Sequence, residues 1–424
     1  MVCGDSATAG ALVSPILERI ASGLHFPTSL AFDDAGALWI AESGLPFDGA
    51  PPGGRVLRGA ALVASGLRAP VNGLCWHDGG WIVSEGGRPG RISRLTPDGA
   101  RTTLVDDLPN FGDYQTSMAV VRDDKLYFSQ GAATNMGVVG LDSYDLGWLG
   151  KLPDGADIPG LDIVVGDATF ETPDPHTPGR WIATGAFAPF GATPGERRIA
   201  GRVPCTAAVL RCNLDGSGLE LYAWGLRNAF GLVVLADGRL LATEQGADER
   251  GSRPIGNAPD LLFEVRAGLW YGFPDFVGRT PVSDPRLAPH RGPAAAPVLR
   301  NHAELPPLAT PLLEFPVNTA ATKLAQLPAD APRFAGQLLV CLFGDERPIA
   351  GPPGPKVGRS LARVDLATRT LHPVELGPLH RPIDVRVHDG FVYLLDFGAF
   401  EMSPGRVDAI AGSGAAYRFP LSAL

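Results

Sequence analysis

PTSLAFDDAGALWIAE, residues 27–42, reads as two short strands folded on one turn. Apolar residues alternate up to Phe32, Asp33 to Gly36 supply turn chemistry, and Leu38 to Ala41 form a return strand ending on Glu42. Alternation around an Asp/Gly-rich turn is the signature of a β-hairpin. The template recurs at 70–85, 117–130, 230–244, 323–342 and 382–396. Glu42, Glu85 and Gln130 end the first three copies at spacings of 43 and 45 residues; the later spacings are 114, 98 and 54. A repeat of 40 to 50 residues with about four strands per unit predicts a β-propeller.

Third strands follow as Val56-Leu57-Arg58, Ile92-Ser93-Arg94, Val209-Leu210-Arg211, Leu361-Ala362-Arg363 and Ala416-Tyr417-Arg418. A fourth shows in Leu62 to Leu67, and Ile20-Ala21-Ser22-Gly23-Leu24 repeats it ahead of the first blade. The last repeat stops after a third strand, so the N-terminal strand is expected to complete it, Leu17–Ala21 pairing with Ala415–Phe419. Such pairing removes an open sheet edge. The expectation is all-β: one six-bladed β-propeller over 16–424, closed by an N-terminal strand, with residues 1–15 as an extension. Two long insertions, about 131–206 and 246–320, either are loops or hide a seventh or eighth blade.

Antiparallel blades place the turns after strands two and four on one face. Glu42, Glu85, Gln130, Glu244 and Asp396, with Leu342 as the exception, are therefore expected around one mouth of the channel. His25, Arg68, Arg227, His380 and Arg381 open onto it, and both insertions begin there. Loops on a rigid scaffold commonly carry function.

Lys and Arg number 36 against 45 Asp and Glu, a formal charge of −9. That balance argues against a general binder of nucleic acid or anionic membrane, both of which favour basic surface. No apolar run reaches the ~18 residues of a spanning helix. With 54 Gly and 40 Pro beside 45% hydrophobic residues, the chain reads as ordered and turn-rich. The 5 cysteines contain no C-x-x-C pair, so neither a disulfide framework nor a zinc site is implied. Cys3-Gly4-Asp5-Ser6 admits a lipidated start as one alternative, and the compartment stays open.

Gly225-Leu226-Arg227-Asn228-Ala229-Phe230 and Thr243 to Pro254 (TEQGADERGSRP) resemble the glucose/sorbosone dehydrogenase family. So do Leu108 to Gln115 (LPNFGDYQ) and Trp270 to Phe276 (WYGFPDF). The resemblance implies a six-bladed fold, calcium and pyrroloquinoline quinone as cofactors, oxidation of a sugar-like or other small alcohol or aldehyde, and a periplasmic or extracellular setting. Arg227, Asn228 and Arg381 match quinone-contacting positions, and Gln245, Gly246 and Ala247 fall where carbonyl oxygens hold calcium. Guanidinium forks suit carboxylates, and a hard cation takes oxygen ligands.

Asp113 matches the residue before the family's catalytic histidine, but here Tyr114 stands in the histidine's place. A second family arginine falls near Ile383, and the family lysine near Phe343-Gly344-Asp345, leaving only Lys356 within reach along the chain. If Tyr114 and Asp113 carry the chemistry, the phenol needs a lowered pKa, which Arg227 or calcium would supply and Asp113 would oppose. Two alternatives stand beside the quinone oxidoreductase: a quinone-free, calcium-assisted hydrolase, lyase or isomerase at the same mouth, or a non-catalytic small-molecule binder.

Overall fold

Each copy of the template forms the inner hairpin of a blade, because its buried strands pack on the neighbouring blades while its turn residues reach solvent. The structure, a computed structural model, describes residues 16–346, 349, 351–352 and 354–424. Cys3 and the proposed extension lie outside the described residues. The innermost strands are Pro27–Phe32, Val71–His77, Thr116–Arg122, Ala229–Val234, Ala321–Gln326 and Pro382–His388. Each begins a four-stranded antiparallel sheet, and together they make a six-bladed β-propeller. Glu18–Leu24 is the outer strand of the sixth blade, with Glu18 opposite Arg418 and Ala21 opposite Ala416.

The fourth blade corrects the insertion boundaries. Its third and fourth strands, Leu261–Glu264 and Leu313–Glu314, lie inside the stretch read as the second insertion. Only 246–260 leaves from the mouth side; 265–312 is an excursion between strands three and four. That excursion is anchored by buried Asp275, which accepts from Arg253 at 2.8 Å and from the amides of Val298 and Leu299. The first insertion holds two short helices, Leu141–Asp145 and Trp148–Lys151, and two small two-stranded sheets, one of them a hairpin nested between the strands of the other.

The acids ending the second strands have a structural use. Glu42 accepts from the His25 amide at 2.7 Å, Glu85 from the Arg68 amide at 2.6 Å and Glu244 from the Asn228 amide at 3.2 Å. Asp396 takes the amides of His380 and Arg381. Each carboxylate thus pins the chain where it crosses from one blade into the next, satisfying backbone donors that would otherwise be buried alone. Where Leu342 breaks the series, Asp260 does this work, accepting from the Ala321 amide at 2.8 Å. The acids ending the second strands sit at the mouth end, but they are buried and do not line its cavity.

Lys323 stands in the channel below. Its ammonium donates to the carbonyls of Thr28 and Asn72, both at 2.6 Å, with the Asp384 carboxylate 3.7 Å away. Among the described residues no helix is long and apolar enough to cross a membrane.

Candidate functional site

A cavity of about 800 Å³ opens at the mouth. Asp113, Tyr114, Arg227, Asn228, Gln245, Gly246 and Ala247 all line it. The segment carrying Asp113 and Tyr114 joins the second blade to the third and lies hard against the first insertion. A Cβ on Gly112 would fall 1.7 Å from the Ala133 carbonyl oxygen, so only glycine allows that approach.

Arg227 organises the polar wall. It is 3% exposed and lies 4.3 Å over the Tyr114 ring. Its guanidinium donates to the Asn135 carbonyl and side chain, both at 2.8 Å, and to Asp248 at 2.8 Å. It also donates to the Tyr114 hydroxyl, and to the carbonyl oxygens of Gln245 at 3.2 Å and Gly246 at 2.5 Å. Arg250 is a second hub, reaching Asp113 at 2.6 Å, Asp142 and the Tyr114 hydroxyl at 2.8 Å, and Asp248 at 3.0 Å. The Tyr114 hydroxyl donates to Asp248. Asn228 bonds the Gln245 side chain at 2.7 Å.

Burial decides the protonation states. It pushes the Tyr114 phenol well above its ordinary value, outweighing Arg227 and Arg250. Arg227 and Arg250 alone therefore do not supply the lowered phenol that a catalytic Tyr114 would need. Burial also raises Asp142 to about 6 against Arg250. Asp248 shifts the other way: burial opposes ionisation, yet Arg227 and Arg250 hold it below the usual carboxylate range.

Glu346 was not singled out from sequence. It lines the same cavity, and burial pushes its carboxyl up to about 7; Arg381 opposes that rise and Asp248 adds to it. No motif surrounds Glu346. Asp248 and Arg250 do lie inside the TEQGADERGSRP block, so their nearness to the site was readable there. Asn135, which fixes Arg227 and Asp248 together, had no such signal.

Arg381 does not join these residues. It is fully buried, and its guanidinium is spent on the carbonyls of Phe400, Gly344 and Asp345 and on Glu401. Lys356 pairs with Glu401 at 2.8 Å and does not line the cavity. Phe343 and Ile383 line it where the resemblance calls for cations.

The residues present do not fit calcium and a tricarboxylate quinone. Two of the three carbonyls expected to hold calcium already accept from Arg227, which puts a guanidinium where the cation would bind. A quinone trianion would meet Asp113, Asp248, Asp345 and Glu346, while Arg227 is saturated and Arg381 sealed away. The opposite wall is apolar, built by Phe47, Phe230, Phe343, Phe397 and Ile383.

No family model matches the chain, and none of the curated proteins does. Solved structures do match along nearly its whole length. The PQQ-bound aldose sugar dehydrogenase of Streptomyces coelicolor is 16% identical, with 96% of this chain and 98% of that one covered at a TM-score of 0.56. An oxidoreductase of Thermus thermophilus assigned as a glucose dehydrogenase is 18% identical, covering 95% and 99% at 0.56. The holo pyranose dehydrogenase PQQ domain of Coprinopsis cinerea is 13% identical, covering 95% of each at 0.53. At such identities the likeness lies in the fold: this chain is a six-bladed propeller similar in architecture to PQQ-dependent sugar dehydrogenases.

Proposed function

We propose that the mouth carries acid–base chemistry without a redox cofactor, on a small amphiphilic molecule. The observation that carries this reading is the Arg227 guanidinium on the carbonyls of Gln245 and Gly246, where the resemblance asks for calcium. Glu346 is the proton carrier, because a carboxyl near pH 7 can both give and take a proton at the working pH. Tyr114 stays protonated and serves as a fixed hydroxyl, its orientation set by Arg227, Arg250 and Asp248. Asp113 holds Arg250 rather than reacting. A carbonyl or hydroxyl head lies against this wall, and an apolar body against Phe47, Phe230, Phe343 and Phe397. The reaction class is hydrolysis, elimination or isomerisation.

A second reading, the calcium- and quinone-dependent oxidoreductase, is favoured by Arg227, Asn228, Gln245, Gly246 and Ala247 lining one cavity. Titrating the purified chain with pyrroloquinoline quinone and calcium, followed by absorbance and dye reduction, separates the two. No saturable uptake is expected; uptake with sugar-dependent dye reduction would replace the first reading with the second. Turnover of an ester, lactone or enolisable ketone bearing an apolar chain should fall by about 10² in Glu346→Gln, the scale of lost acid–base help.

A further inference from the structure

Residues 397–413 leave the second strand of the sixth blade at the mouth and fold into a hairpin, Phe400–Ser403 paired with Arg406–Ala409. The hairpin is a two-stranded sheet of its own, joined to no blade. Phe400, Met402 and Val407 line the main cavity, Glu401 and Asp408 line a second pocket of about 510 Å³, and Phe400 borders both. One wall thus separates two chambers.

Glu401 fastens that wall. Its carboxylate accepts from Lys356 at 2.8 Å, Arg359 at 2.7 Å and Arg381 at 2.9 Å. Although burial opposes ionisation, those three cations hold its carboxyl down to about 2. They differ in access: Arg381 is 0% exposed, Arg359 20% and Lys356 63%. All three line the rear pocket with His380. Asp408 is engaged by Arg406 at 2.6 Å.

We propose that the 400–409 hairpin gates the main cavity, and that the basic pocket behind it binds a small oxyanion of the phosphate class that draws Lys356 and Arg359 away from Glu401. Glu401 has only two oxygens for three cations, Lys356 and Arg359 sharing one of them; a tetrahedral oxyanion offers more acceptors and more charge, so it can compete for the two outer cations. Arg381 stays on its carbonyls and keeps the root of the hairpin in place, so release swings the tip. The gate acts on access alone and does not depend on which chemistry the mouth performs.

Stopped-flow uptake of the neutral apolar dye N-phenyl-1-naphthylamine by the full chain tests this. At fixed ionic strength, inorganic phosphate should speed uptake saturably by about tenfold over chloride, the scale of one charge-assisted hydrogen bond. Glu401→Gln should take up dye quickly without phosphate and lose the response. Lys356→Met, a change at an exposed position, should keep the fold and weaken the response. Equal effects of phosphate and chloride would show simple screening and overturn the oxyanion site. Equally slow uptake by Glu401→Gln and the parent would overturn the gate.

Discussion

Tyr114 and Glu346 line one cavity, and burial raises both, with opposite consequences. The phenol moves further from neutrality and stops titrating; the carboxyl moves from 4.5 to about 7 and starts to. The folded state then holds the Glu346 proton more tightly than the unfolded chain, so stability falls as pH rises from about 4.5 to about 7 and stays lower above that. Glu346→Gln removes this loss. Relative to the parent, its stability should rise by about 1–3 kcal/mol across that window and run parallel beyond it. Denaturant unfolding at pH 5 and pH 8 checks the difference, and an unchanged gap between the two proteins would refute it. Tyr114 was readable because it sits in a quotable block. Glu346 was not, because nothing near it in sequence reports the depth at which it lies.

Hairpins with a full period of alternation could be found by reading; shorter ones could not. The inner strands of all six blades match the template. The outer strands of the fourth, Leu261–Glu264 and Leu313–Glu314, are four and two residues long, too short for a period-2 signal. The acids ending the second strands were also visible, but their purpose was not, since an amide 17 residues upstream (Arg68 for Glu85) leaves no mark on composition. The closing strand was legible as a displaced copy of Leu62 to Leu67. Deleting residues 1–24 should leave Gly414–Pro420 as an open edge and convert the protein to soluble oligomers or aggregates on size-exclusion chromatography. A monomer with unchanged melting temperature would show that the ring closes without this strand.

Across the whole ring, one ammonium connects distant blades: Lys323 of the fifth holds carbonyls of the first and second and lies beside Asp384 of the sixth. Burial lowers its pKa from 10.5 to about 8, against the pull of Asp384. The unfolded chain therefore binds the proton more tightly between those values, and stability should rise as pH climbs from about 8 to about 10.5. Lys323→Met should lose about 2–4 kcal/mol near pH 8 by stranding buried acceptors, and its stability should lack that rise. Unfolding curves at pH 8 and pH 10 report both effects, and a variant that keeps the rise would acquit Lys323. The closure of the ring also sets a timetable. Glu18–Leu24 is made about 390 residues before its partner Gly414–Pro420. At ordinary elongation rates the first strand waits roughly 20–80 s for the second. Five blades can form in that interval, but the circle closes only once Gly414–Pro420 has been made, and until then an unpaired strand is open to chaperones and proteases.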